Sequence, residues 1–412
     1  MDDPGAGRGL AGPLDPRALR AFALMGVAAV ALAVAAGVYL RATASAPPTP
    51  PAPALTSLDW LSPTVGWVVL SDRQARSVLF HTEDGGRHWE RQFATVGSAI
   101  SVQFLDPRHG LLTEPASFAG GSPTLLRSDD GGDHWGPIPL PFAIGPRSVV
   151  PFFLDLDHGW VLARTARGTD LEDVELYRTE NGGLDWTSVL TVDPVSFTSH
   201  GLTEQGVKRW LWFRTPLDGW LGSLEGDGSV SLAVTHDGGE QWRRMPLPEP
   251  PAGWSPGDQL VLEAPRVADS GTGALLLTDE THLVPPPSNR LPEPRVQAPV
   301  VVYRTTDGGE TWTDPVPAPA GADPRLSDPA FVDGAEGWLT AGGAVWTTSN
   351  SGRSWDRRDR LPSGRSFGVL ATVDGTVAVG QSTTGTAPGS PWTLIVTEDG
   401  GRTWRALSRP NL

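Results

Sequence analysis

One octapeptide, returning seven times, constrains this chain more than any other feature. It reads TEDGGRHW from Thr82, SDDGGDHW from Ser128, TENGGLDW from Thr179, THDGGEQW from Thr235, TTDGGETW from Thr305, TSNSGRSW from Thr348 and TEDGGRTW from Thr397. The common pattern is Ser/Thr, any, Asp/Asn, any, Gly, any, any, Trp. Its fixed residues are Thr82, Asp84, Gly86 and Trp89 in the first copy, then Ser128, Asp130, Gly132 and Trp135, then Thr179, Asn181, Gly183 and Trp186. The later copies supply Thr235, Asp237, Gly239 and Trp242; Thr305, Asp307, Gly309 and Trp312; Thr348, Asn350, Gly352 and Trp355; and Thr397, Asp399, Gly401 and Trp404. From one Asp/Asn to the next the spacings are 46, 51, 56, 70, 43 and 49 residues. Spacings of about 40 to 50 residues suit four-stranded propeller blades.

The residue types fit a hairpin turn between two strands. Asp or Asn bonds backbone N–H groups a short way on, glycine supplies positive φ, and the Ser/Thr hydroxyl offers a second local bond. Tryptophan then leaves the turn as a large apolar wedge with an N–H to satisfy. On this basis Trp186→Ala is expected to cost about 3 to 5 kcal/mol. A calcium loop is the competing reading of such acidic strings. Each turn offers one acid at the fixed position, two copies carry Asn instead, and no distal Glu recurs. A cation wanting about six oxygens is poorly served, so no metal or other cofactor is expected.

A weaker motif precedes each octapeptide: an apolar strand ending in a turn with Gly and usually Trp. It appears around Trp67, Gly110, Trp160, Trp220 and Trp338, with degenerate versions at Gly273 and Gly375. Each unit then reads strand A, Gly turn, strand B, loop, strand C, octapeptide turn, strand D. A single unit cannot bury both faces, whereas a ring of units can. The expected fold is all-β: a seven-bladed β-propeller of four-stranded antiparallel blades over residues 55–412, with no obvious split blade.

The two repeated motifs absorb most of the 17 tryptophans, in a chain that has 3 Tyr and 12 Phe. There is no Cys, which removes disulfides, thiolate metal sites and cysteine nucleophiles. The net charge is −15, and the stretch to Arg41 carries +1, so the remainder carries −16. That balance argues against nucleic acid and anionic membrane surfaces as partners.

Residues 21–40 (AFALMGVAAVALAVAAGVYL) contain no charge. As a helix they span roughly 30 Å, enough for a bilayer core. Arg17 and Arg20 precede the run and Arg41 follows it, so the positive-inside rule puts residues 1–20 in the cytoplasm. A cleaved signal peptide is the alternative, since Ala44-Ser45-Ala46 resembles a cleavage site. The apolar run is long for one, however, and Pro47 hinders cleavage. Either way the rest is exported. Residues 41–54 are Pro-rich and read as a semi-rigid spacer between a single-pass membrane anchor and an extracytoplasmic propeller.

The octapeptide resembles the Asp box, or bacterial neuraminidase repeat, of sialidases, sortilin-type receptors and the photosystem II stability and assembly factor family. The Gly-Trp turn followed by YRTENGGLDW from Tyr177 and YRTTDGGETW from Tyr303 is most similar to the last of these. That resemblance implies a seven-bladed, non-enzymatic propeller that docks another membrane or exported protein.

The alternative function is a glycan-binding or sialidase-like hydrolase. Sialidases resemble this chain in the repeat but have six blades, an arginine trio and a Tyr nucleophile. Here Tyr177 and Tyr303 lie directly before octapeptide turns, and FRTP from Phe213 falls in the fourth unit. Asp155, Asp157 and Glu172 could form a glycosidase pair, but such acids are more often solvated turn residues. His109 and His158, each before the Gly of an A-to-B turn, read as polar turn residues. No catalytic residue is assigned.

In an antiparallel meander the A-to-B and octapeptide turns share one face of the ring, and the B-to-C and D-to-A loops share the other. The second face carries the irregular loops: residues 279–299, which explain the spacing of 70, and the stretch from Pro246 with Trp254. Trp254, His282 and Arg290 on those loops are the candidate partner-binding residues, because recognition favours long loops on a rigid scaffold.

Overall fold

The computed structural model describes residues 53–412 except 73, 75, 97–99, 115–122, 143–147, 167–170, 194–199, 204–205, 251–259, 280–299, 321, 324–326, 329–330, 342, 359–364 and 385–390. The apolar run at 21–40, most of the Pro-rich spacer, and Trp254, His282 and Arg290 therefore lie outside the described residues.

The strands form seven sheets, one for each octapeptide. Blades 1 to 7 occupy residues 54–96, 101–138, 148–192, 207–245, 260–317, 322–357 and 366–406. Within each, four strands follow in chain order as an antiparallel meander. Blade 5 adds a second short piece to strand A, at Arg266–Val267. In blade 6 strand A pairs its own blade at Ala322–Asp323, and the chain then runs parallel to strand A of blade 7 at Ser327–Asp328.

Burial follows from the pattern. Strand B is buried on both faces, as Gly66–Ser71 and Gly159–Ala166 show, while strand D, the outer edge, alternates or is exposed. The apolar clusters sit between blades rather than within them: one joins Trp160, Leu176 and Leu190 of blade 3 to Leu211, Phe213 and Trp242 of blade 4.

No strand is shared between blades 1 and 7 among the described residues, so the absence of a split blade holds there. Side chains close the junction instead. Trp89 Nε1 donates to Ser408 O at 2.9 Å, and Trp392 Nε1 to Pro53 O at 2.8 Å. Trp60, Val68 and Leu70 pack with Val379, Leu394 and Leu407.

The A-to-B turns also have a register reason. In blades 1 to 4 an aromatic ring at the end of strand A lies across the first residue of strand B. A Cβ at Gly159 would meet Phe153 at 2.6 Å, and one at Gly219 would meet Phe213 at 2.4 Å. Only glycine leaves room for the ring. In blade 7 Gly375 lies within the A-to-B turn, as expected, and the position that pairs with the octapeptide threonine Thr397 is Ala378 instead of a glycine. Strand A of blade 7 ends at Thr372, with no aromatic ring to lie across that position.

Candidate functional site

The octapeptide turns repeat one hydrogen-bond pattern in all seven blades. In blade 1 Thr82 Oγ1 donates to Asp84 Oδ1 at 3.0 Å, Gly86 N donates to Thr82 Oγ1 at 2.9 Å, and His88 N donates to Asp84 Oδ1 at 2.9 Å. The same three bonds recur from Ser128, Thr179, Thr235, Thr305, Thr348 and Thr397. Asn181 and Asn350 accept through Oδ1 as the aspartates do. Blade 6 carries Ser351 where the others have the first glycine, at φ 55°.

Each turn is also fastened to the A-to-B turn of its own blade by one backbone bond. The donors and acceptors are Gly85 N and Thr64 O, Gly131 N and Arg108 O, Gly182 N and Asp157 O, Gly238 N and Leu217 O, Gly308 N and Gly271 O, Ser351 N and Ala335 O, and Gly400 N and Thr376 O. Their lengths run from 2.7 to 2.9 Å. These bonds put the two turn types on one face.

Sequence reasoning missed a link between the third and seventh residues of the octapeptide. Where the third is Asp, its Oδ2 takes a donor from the seventh: His88, His134, Thr311 or Thr403. Where it is Asn, its amide donates to Asp185 or Ser354. Blade 4 departs from this, since Gln241 pairs with His200 instead. The signal was visible in the strings themselves.

These bonds hold the carboxyls ionised. The backbone N–H of His134, then its ring, lowers Asp130 to about 2, and the Thr403 hydroxyl and N–H lower Asp399 to about 2. Asp84 is depressed in the same way by His88.

The octapeptide tryptophans are mostly half-buried: Trp89, Trp135, Trp186, Trp355 and Trp404 are, while Trp242 and Trp312 are buried. The fully buried indoles are those that open strand B. Trp67, Trp160, Trp220 and Trp338 are 0 to 1% exposed. Trp67 stacks on Phe104 of the next blade at 3.4 Å between centroids and donates to Gly131 O at 3.3 Å. The expectation that Trp186 is a buried core aromatic is corrected: it is half-buried, its ring meets Phe153 edge-on, and its Nε1 donates to Pro139 O.

The candidate acids do not come together. Asp155 caps its own turn, accepting from Asp157 N and His158 N, and its carboxylate also pairs with the His158 ring. His109 pairs likewise with Asp106. Glu172 lies at the other end of the hairpin, where it faces Ala166 while Gly159 faces Thr179. Along strand B that is roughly 23 Å at about 3.3 Å per residue, against the roughly 5 to 10 Å that a glycosidase pair needs.

Glu172 is not a solvated turn residue, and that expectation is corrected. It is 6% exposed. Its Oε1 accepts from Lys208 N at 2.6 Å, and Lys208 is itself 0% exposed. Burial pushes the Glu172 carboxyl up, opposed by the Lys208 N–H and the Arg164 charge; burial pushes Lys208 down, opposed by Glu172 and Glu225.

Tyr303 is buried, donates to Pro248 O at 3.1 Å, and is pushed up to about 12 by burial. Arg214 of the FRTP string lies over the Trp220 ring and pairs with Asp218 at 3.3 Å, within its own blade. Among the described residues no group of three or more His, Cys, Asp or Glu gathers as a metal site.

No protein-family model matches the chain, and no curated protein matches it. Among solved structures it is similar to YCF48 bound to D1 peptide, at 17% identity over 88% of this chain and 95% of that one, with a TM-score of 0.46. It is similar to the PL25 ulvan lyase bound to a GlcA(1-4)Rha3S saccharide, at 9% identity over 87% and 96%, with a TM-score of 0.50. It is also similar to the β-propeller domain of the trilobed protease from Pyrococcus furiosus, at 9% identity over 87% and 98%, with a TM-score of 0.51. Likeness at such identities is likeness of fold: the chain is a seven-bladed β-propeller.

Proposed function

We propose that this chain is a non-enzymatic binding or assembly scaffold, held at the membrane by residues 21–40 and presenting its propeller outside the cytoplasm to another membrane or exported protein. The observation that carries this reading is the fate of the repeated polar groups. All seven Asp or Asn side chains are spent on their own turn's hydroxyl and N–H. The residues that look most like a functional signature are fold fastenings, as in the Asp-box families that the repeat resembles.

One face of the ring is therefore occupied by stitched turns, and recognition falls to the irregular loops opposite, around Trp254 and residues 279–299 with His282 and Arg290. Rigid scaffolds place variable recognition loops in this way. The full chain, crosslinked in its own cells, should capture a defined protein. Replacing 280–299 by a tight turn should weaken that capture several-fold at unchanged melting temperature; equal capture contradicts the reading.

A further inference from the structure

The residue just before the octapeptide Ser/Thr is His81, Arg127, Arg178, Val234, Arg304, Thr347 or Val396 in blades 1 to 7. It looks across the junction to the sixth octapeptide residue of the next blade. Arg178 Nη2 lies 3.9 Å from Glu240, the charge of Asp133 acts on His81, and that of Arg353 acts on Arg304. Of the four basic residues at this position, three are accompanied by acids. His81 has Glu83, Glu90 and Asp133 around it, Arg127 Nε pairs with Asp129 at 2.6 Å, and Arg178 Nη2 pairs with Glu180 at 3.5 Å as well as with Glu240.

Arg304 differs. The places that hold those acids elsewhere hold Thr306, the cross-strand Thr313 and, from blade 6, Arg353. Its Nε and Nη1 are buried and have no hydrogen-bond partner among the described residues. No described acid pairs with Arg304 or with the exposed Arg353. The turn opposite shows why. Arg178 Nη1 donates to Asp237 O, lying where a Cβ on Gly238 would meet it at 2.3 Å. In blade 6 the residue equivalent to Gly238 is Ser351, which carries that Cβ, and the carbonyl equivalent to Asp237 O is Asn350 O, which accepts from Arg353 N at 3.3 Å. Burial and the Arg353 charge both push the Arg304 guanidinium down, yet an arginine keeps its proton, so the charge remains to be offset.

We propose that Arg304 and Arg353 bind a small, doubly charged oxyanion of the phosphate or sulfate class at the junction of blades 5 and 6. One such ion neutralises both guanidiniums, whereas a monovalent carboxylate leaves one charge over. The negative charge of the propeller as a whole does not forbid this, because salt screens exposed charges beyond about 8 Å at physiological ionic strength. The site lies on the octapeptide face, so it is independent of the loops proposed to dock a partner.

Isothermal titration of the full chain in detergent with sodium sulfate, or with sodium phosphate at pH 8, at constant ionic strength in sodium chloride, tests it. Wild type should bind either anion at one site. Arg353→Gln should weaken binding about tenfold or more, the scale of one lost charge-assisted contact. Arg353→Glu builds at this junction the pair that Arg178 makes with Glu240, and should abolish binding without lowering the melting temperature. Arg402→Gln, at the same octapeptide position in blade 7, should bind as wild type does. No saturable binding in wild type, undiminished binding in Arg353→Glu, an equal loss in Arg402→Gln, or equal binding of acetate would each overturn the proposal.

Discussion

The indole of Trp160 lies parallel to the Phe213 ring of the next blade, with centroids 3.7 Å apart and planes 5° from parallel, while its Nε1 donates to Gly238 O at 2.9 Å. One side chain thus joins strand B of one blade to strand A and the octapeptide turn of the next. Trp160→Ala should cost about 3 to 5 kcal/mol, the range for deleting a fully buried aromatic. Trp186→Ala, at a half-buried octapeptide position, should cost about 1 to 2 kcal/mol. Urea unfolding of both variants checks the order, and a reversed order would return the main burial to the octapeptides.

Acid should weaken the turns in a narrow window. Asp130 and Asp399 are held at about 2, below an ordinary carboxyl value of 3.8. A depressed carboxyl contributes stability that is complete above its unfolded value and lost as pH falls through its folded value. The contribution of these two carboxyls should therefore be complete above about pH 5 and be lost between about pH 4 and pH 2, lowering the melting temperature there. Asp130→Asn with Asp399→Asn should flatten that fall without loss at neutral pH, because Asn181 and Asn350 already make the same Oδ1 bonds. An unchanged acid slope in the double variant would show that other carboxyls govern it.

Glu172 joins blades 3 and 4 by accepting from Lys208 N. Glu172→Ala removes the acceptor of that N–H and one of the two carboxylates, Glu172 and Glu225, that offset the burial of Lys208, a loss of up to about 3 to 5 kcal/mol. Glu172→Gln keeps an acceptor for the N–H and should cost less. Denaturant titration of the pair separates the two contributions, and equal losses would mean that the charge alone matters.

The architecture was legible because the octapeptide marks every C-to-D turn with residues that have one local use. Its energetic weighting was not legible. Trp67 and Trp89 look alike in a string, and only the stacking of blades shows that the first is enclosed and the second half-exposed. Glu172 was read as solvated because charge usually is; its burial depends on Lys208, 36 residues away. Gly375 marks the seventh A-to-B turn as the motif predicts, but only the pairing shows that Ala378 takes the strand B position that is glycine elsewhere. The candidate residues Trp254, His282 and Arg290 lie outside the described residues.

Export and tethering of the propeller are the central proposal. Protease added to intact cells, with any outer envelope permeabilised, should cut within the Pro-rich spacer after Ala46 and release the folded propeller, while the segment before residue 21 stays protected. Recovery of the whole chain as a soluble cytosolic protein, untouched by protease until the cells are lysed, would contradict the account.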